Sequence, residues 1–327
     1  VNTTGTLFDA GELISRPRRR SAPVDVKICD DKVTGVGGVV LWGPMLDRLN
    51  LVGVADERQL RPIGPGGYTG GECYRALVEI LLAGGDFLSD RSLLEGPTQQ
   101  LRGAHVLPSH TTMFRFCAGA DLGRAQKAAA VNRMLLARAW AMGAGPSGGV
   151  VTIDPDATPV DTYGPGKEGS KFSYRGEVGL SPLIGVCGET GDVLAIRARS
   201  GNAHSGRGNA GFIRECVSAI PRPVRDRVNL WVRVDSAGYQ HNVFNTAEEL
   251  GAVFTVTAPQ RSNVRAKVRE LVTDPGTCWV PALAAEAKKG SEVAETLFEL
   301  GQGKSRRLLR MIVRRQRTTV GEHLSFR

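Results

Sequence analysis

The sequence predicts an α/β chain: a mixed sheet flanked by helices, preceded by a mostly α N-terminal domain and followed by a β-rich segment. Three observations predict it. Between residues 39 and 145 apolar residues recur at helical spacing, with Gly-rich punctuation at 64–67 and 84–85. From residue 149 short β-branched runs alternate with amphipathic stretches. After about residue 274 the pattern changes again, to strand-like runs joined by Gly-rich turns such as Gly301–Lys304.

The elements follow in order. Residues 1–22 hold few large apolar side chains and end in Arg16, Arg18, Arg19 and Arg20, so a basic arm without fixed structure is expected. Residues 23–148 are read as a helical domain, with Ser109 placed to cap the helix after it. The run from Gly143 to Gly149 marks a boundary by composition. Residues 149–273 then read as a strand, Val150–Ile153, a polar loop over 161–175, and strands at 178–187 and 193–198 joined by a hairpin. A helix over 206–220 stopped by Pro221 and Pro223, a strand over 229–235, a helix near 240–250 and a strand over 252–257 follow. Trp231 is read as a core residue. Residues 274–327 are assigned to the β-rich segment.

That order, strand, hairpin pair, helix, strand, helix, strand, is the order of a ribonuclease-H-like sheet. In it the first strand lies beside the fourth, and helical crossovers satisfy the right-handed rule for parallel strands. The first strand leads into Asp154 and Asp156, two carboxylates at strand spacing and hence on one face. The fourth ends in Asp235. Neighbouring strands lie about 4.8 Å apart, so Asp156 and Asp235 are expected side by side at one edge, as a divalent-metal site in outline.

Composition bounds the partners. The chain has 327 residues, enough for two domains, and carries a formal charge of +9. The charge clusters at 16–20 and at 304–317, which favours an anionic partner, nucleic acid before others. No apolar run approaches a membrane span, and the basic residues near the N-terminus come after the mildly apolar part, the wrong order for a secretory signal. Six cysteines without a C-x-x-C pair suggest neither a zinc site nor a disulfide framework, and a reducing, cytoplasmic setting is expected.

The wording around the acids adds to this. The pieces D-x-D-A-T at 154–158, K-E-G at 167–169, S-G-N-A at 200–203 and R-x-D-S-A-G at 233–238, with upstream stretches at 83–90 and 108–112, resemble the DDE transposases of bacterial insertion sequences. The nearest branch is the group typified by insertion sequence thirteen-eighty, within the insertion-sequence-four class. The resemblance implies a nucleoid-associated enzyme that binds its element's terminal inverted repeats and target DNA, as a homodimer on DNA, and cleaves and joins strands with Mg²⁺ or Mn²⁺. It implies Asp156 and Asp235 as catalytic metal ligands, with Asp154 as an alternative or supporting ligand because Pro155 stands where relatives carry an aliphatic residue. Arg18, Arg19, Arg20, Arg233, Asn202, His204, Arg314 and Arg315 are the expected DNA contacts, the N-terminal helices the holder of the element end.

The third acid of such a triad has no counterpart in the motif reading. Glu286, Glu292, Glu295 and Glu299 fall in the β-rich segment, and Glu322 has no helix after it. The resemblance therefore leads one to expect a C-terminally truncated chain. A non-catalytic DNA-binding repressor of transposition is the alternative to an active enzyme.

Overall fold

The computed structural model describes residues 36–58, 67–96, 98–99, 102, 105–162, 166–173, 175–283, 290–301, 306–317 and 324–326. The basic arm, including Arg18, Arg19 and Arg20, lies outside them. By compactness the chain divides into residues 1–256 and 257–327.

The first unit opens with helices. They are α1 (Val39–Arg48), α2 (Leu51–Glu57), α3 (Gly70–Leu82), α4 (His110–Ala118) and α5 (Leu122–Ala139). Their starts are written in the sequence. Thr69 and Glu72 form a reciprocal capping box on α3, Ser109 accepts from the Thr112 N–H at α4, and Asp121 accepts from the Arg124 N–H at α5. Val39, Val54, Cys73, Ile80, Leu94, Leu107 and Met113 are among the residues that close an apolar core between these helices.

That bundle also buries charge. Arg75 and Glu79 are each 1% exposed and Arg102 2%. Arg75 donates to Glu79 at 2.8 Å and to Asp47; Arg102 donates through Nε to Glu79 at 2.6 Å; and His105 Nε2 stands 2.9 Å from Asp47 Oδ1. Two carboxylates thus face two guanidiniums. Burial works against the charge of Asp47, but the hydrogen bond from His105 and the proximity of Arg75 outweigh it and hold the carboxyl below its ordinary range.

The sheet of the first unit contains β1 (Val150–Ala157), β5 (Leu183–Cys187), β6 (Val193–Arg197), β7 (Asn229–Val234) and β8 (Val253–Val256), in the order β6-β5-β1-β7-β8. β1 runs antiparallel to β5 and parallel to β7, which is parallel to β8. This is the ribonuclease-H-like arrangement. Three short strands, β2 (Val160–Asp161), β3 (Lys171–Phe172) and β4 (Val178–Leu180), form a separate small sheet. The single strand expected over 178–187 is therefore two: Pro182 has no N–H to give a ladder, so β4 and β5 part on either side of it and join different sheets.

One face of the large sheet is packed by α6 (Asn209–Ala219), with Phe212, Ile213 and Cys216 fully buried against Val151, Ile153, Leu183 and Val232. The approach is close. A Cβ at Gly185 would stand 2.2 Å from Cys216 Sγ, so this strand position has room for hydrogen alone. Burial pushes the Cys216 thiol up to about 12, which makes it a packing group and not a nucleophile.

Trp231 is a correction to the sequence reading. Alternation sends Leu230, Val232 and Val234 into the core, so Trp231 turns to the other face, 41% exposed, with its indole N–H on Thr255 Oγ1 at 2.8 Å. α7 (His241–Glu249) completes the unit between β7 and β8. Among the described residues no helix is long and apolar enough to cross a membrane.

The second unit pairs α8 (Ser262–Thr273) with a sheet of β9 (Val280–Pro281), β10 (Ser291–Leu300), β11 (Arg307–Arg317) and β12 (Leu324–Phe326), in the order β12-β11-β10-β9. Val268 and Leu271 pack on Ala294, Met311 and Val313. Compactness thus groups α8 with this β-sheet.

The buried charges give a test. Glu79→Ala would leave Arg102 and part of Arg75 buried without a carboxylate, and breaking a buried pair from one side costs about 3–5 kcal/mol. Urea unfolding should show a loss of that order; a loss below about 1 kcal/mol, the level of exposed pairs, would mean that water already reaches the cluster.

Candidate active site at the edge of the central sheet

β1 is hydrogen-bonded on both sides, and its register with β7 sets the site. Val150, Val151, Thr152 and Ile153 lie opposite Asn229, Leu230, Trp231 and Val232. One residue on, Asp154 and Arg233 meet as an ion pair. Two residues further on stand Asp156, within β1 and on the face opposite α6 by strand alternation, and Asp235, just past the end of β7 in extended backbone; both are exposed. The parallel register thus brings the C-terminal ends of β1 and β7 to the same end of the sheet.

The three aspartates are in different states. Asp154 is held by Arg233 in a two-pronged pair, Nε donating to Oδ1 at 2.7 Å and Nη2 to Oδ2. The hydrogen bonds and charge of Asp154 raise the Arg233 pKa above its ordinary value. Asp156 Oδ1 accepts from the Ala157 N–H at 2.7 Å, and Asp235 Oδ1 accepts from the Ala237 N–H at 3.0 Å, at the head of the short 3₁₀ turn Ser236–Gly238. Each of these two carboxylates leaves its Oδ2 without a protein partner among the described residues.

Such a donor set fits a hard cation. Magnesium takes oxygen ligands, keeps several waters and is commonly held by one or two carboxylates. Among the described residues no group of three His, Cys, Asp or Glu side chains converges to cage a metal. Two free carboxylate oxygens exposed to solvent fit a cation of the kind that keeps several waters.

The other predicted residues divide. Asn202 and His204 are exposed on the loop 200–208, where Asn202 accepts from Ser200 Oγ at 2.9 Å and His204 Nδ1 accepts from the Gly206 N–H at 3.1 Å. That loop is tied to the turn carrying Asp235. Gln240 Nε2 donates to Gly206 O at 3.0 Å and Ala237 O at 2.7 Å, and a Cβ at Gly206 would meet Gln240 Nε2 at 2.0 Å. Arg314 and Arg315 lie on β11 in the second unit. Arg315 is engaged by Glu292 at 2.8 Å and stacks 4.0 Å from the Trp279 ring.

Two residues outside the motif reading matter here. Arg199 binds its own loop through carbonyls, donating to Ser181 O at 2.7 Å and to the oxygens of His204, Ser205 and Arg207. Burial, with Arg197 and Arg207 nearby, lowers its pKa from the ordinary arginine value. Glu189, in the β5–β6 hairpin, reaches back to β1, accepting from the Thr152 N–H at 2.8 Å and its hydroxyl at 2.6 Å. Neither has a sequence signal: an Arg after a strand and a Glu in a turn are common, and only the tertiary contacts distinguish them.

Against known proteins, a family described as Transposase DDE domain group 1 matches residues 77–326. Curated proteins return no match. Among solved structures the chain is similar to a piggyBac transposase in a synaptic complex with hairpin DNA, at 12% identity and TM-score 0.32, covering 80% of this chain and 57% of that one. It is also similar to the Mos1 mariner paired end complex with Mn, at 14% identity and TM-score 0.23, covering 64% and 67%. The chain thus spans little more than half the length of the piggyBac protein.

Glu189 supplies a pH test. Partial burial opposes its charge, but the Thr152 hydrogen bonds prevail and lower its pKa. A carboxyl lowered on folding adds stability above its unfolded pKa and loses it as pH falls through the folded value, so the effect appears below about pH 4.5. Glu189→Gln should flatten that acid limb in thermal melts; an acid limb identical to wild type would mean that Glu189 does not hold β1.

The match over residues 77–326, more than three quarters of the chain and including both aspartates of the sheet edge, carries the assignment: this chain belongs to the DDE transposase domain family, group 1.

Proposed function

We propose that the protein cleaves and joins DNA strands as a DDE-type transposase, with Asp156 and Asp235 as the metal-holding pair. The observation that supports this reading is the parallel β1–β7 register, which leads the chain to Asp156 and Asp235, each with one oxygen free, at the same end of the central sheet. A divalent ion held there, Mg²⁺ or Mn²⁺, would activate an attacking oxygen and stabilise the leaving 3′-oxygen of a phosphodiester. The finer placement in the insertion-sequence-four class, in a bacterial element, rests on the motif wording at 154–158, 167–169, 200–203 and 233–238.

The chain's own residues divide the work. Asp154 is the neutralised neighbour and not the ligand, because Arg233 occupies both of its oxygens. That pairing also places a guanidinium at this end of the sheet. Arg199 fixes the loop bearing Asn202 and His204, and Gln240 holds that loop to the Asp235 turn, so both side chains are presented beside the acids to meet the DNA backbone. Of the glutamates in the β-rich segment, Glu292, Glu295 and Glu299 are each paired with an arginine of the same sheet or its turn, and none is assigned as a third acid. The DNA substrate is proposed to be the ends of the protein's own element, bound by a homodimer.

Mn²⁺-dependent thermal shifts test the pair without requiring turnover. Asp156→Asn and Asp235→Asn should each weaken Mn²⁺ binding roughly 10–100-fold, at least the effect of losing a group that supports a ligand, while melting near wild type in its absence. Asp154→Asn should retain most of the shift. If both Asp156 and Asp235 variants respond to Mn²⁺ as wild type does, the metal pair is wrongly assigned.

A further inference from the structure

The second unit carries most of the chain's charge. Residues 257–327 contain 14 Lys and Arg against 7 Asp and Glu, a net +7 out of the chain's +9. Its acids are largely consumed within it. Glu292 pairs with Arg315, Glu295 with Arg310 and Glu299 with Arg306 in the β10–β11 ribbon, Glu270 with Lys267 along α8, and Asp274 accepts from the Gly276 N–H.

Part of the unit's positive charge runs along α8, with Arg261 at its N-cap. Arg261, Arg265 and Arg269 follow at intervals of four, which aligns them along one side of the helix, and all three are exposed. Val264 and Leu271 are buried on another side, where Leu271 joins Val268 on the sheet. Arg265 and Arg269 make no ion pair or side-chain hydrogen bond among the described residues. Like charges at this spacing weaken a helix on its own, so packing against the sheet holds the ridge in place against its own repulsion.

We infer that this ridge on α8 is a docking surface for the phosphate backbone of a DNA duplex, additional to the acid edge and distinct from the β11 arginines, two of which are already held by glutamates. The spacing suits it. Arginines four residues apart are about 6 Å apart along a helix axis, close to two axial steps of about 3.4 Å between phosphates of one strand. Guanidiniums ranged along an exposed helix recognise backbone and not base sequence, so the ridge would bind a duplex whatever its sequence. The inference rests on the transposase reading for its choice of DNA as the anion.

The test is fluorescence anisotropy of the full chain on a duplex of arbitrary sequence and about three helical turns, roughly 30 base pairs, titrated from about 50 to 200 mM salt. Arg265→Gln with Arg269→Gln should weaken binding on the order of tenfold and reduce the log–log salt slope by about 2, close to 0.9 for each phosphate no longer neutralised. Arg265→Lys with Arg269→Lys should keep the wild-type slope, and Arg222→Gln with Arg225→Gln, in the first unit, should leave it unchanged. Circular-dichroism melts matching wild type exclude a folding defect. Tight wild-type binding with an unaltered slope in the double Gln variant would overturn the ridge and leave the transposase reading standing. No binding of wild type even at about 50 mM salt, below physiological screening, would overturn both.

Discussion

The site depends on β1 being hydrogen-bonded on both sides. With β5 antiparallel on one flank and β7 parallel on the other, a slip of one residue would turn Val151 and Ile153 out of the core and Asp154 and Asp156 into it. The packing of α6 forbids that slip, because Phe212 and Cys216 fill the space over Gly185 and Ile153. Apolar packing on one face of the sheet therefore fixes the position of carboxylates on the other. Glu189 strengthens the same register from the hairpin, by holding the N–H and hydroxyl of Thr152.

Charge is handled in opposite ways in two parts of the first unit. In the helical bundle, Arg75, Glu79, Arg102 and Asp47 are withdrawn from water and balanced two against two. At the sheet edge, Asp154 and Arg233 pair in the open, where Arg233 is 62% exposed and such a pair contributes about 0–1 kcal/mol. The buried network is a constraint on helix placement; the exposed pair is a matter of local electrostatics next to two unpaired acids. α5 links the bundle to the outer strand of the sheet, with Arg138 donating to Leu49 O at 2.6 Å and Asn132 to Val193 O of β6 at 3.0 Å.

The second unit repeats the theme in a third form. Its β10–β11 ribbon sets glutamates against arginines in cross-strand pairs, and Arg315 also covers Trp279. Arginines that look like a nucleic-acid patch in the linear sequence are thereby partly structural. Arg265 and Arg269 of α8, a helix with few acids of its own, keep their charge for solvent or a partner.

The sequence by itself determined most of the elements and which acids follow the two central strands. Period-two runs before Asp156 and Asp235, separated by a hairpin signal and a helix stopped by prolines, leave few topologies that obey the right-handed crossover rule, so the neighbouring of β1 and β7 was legible. The cap at Ser109 was legible too, because it acts on the N–H of Thr112, three residues on. Tertiary structure alone decided what depends on partners distant in the chain. That Asp154 is neutralised and Asp156 is not turns on Arg233, 79 residues away. That Trp231 is exposed turns on which face α6 covers, and that Arg315 is held while Arg265 is not turns on strand pairing. Local periodicity states which side chains share a face; it cannot state what the opposite strand or the covering helix brings to that face, and there the partners of each site residue are set.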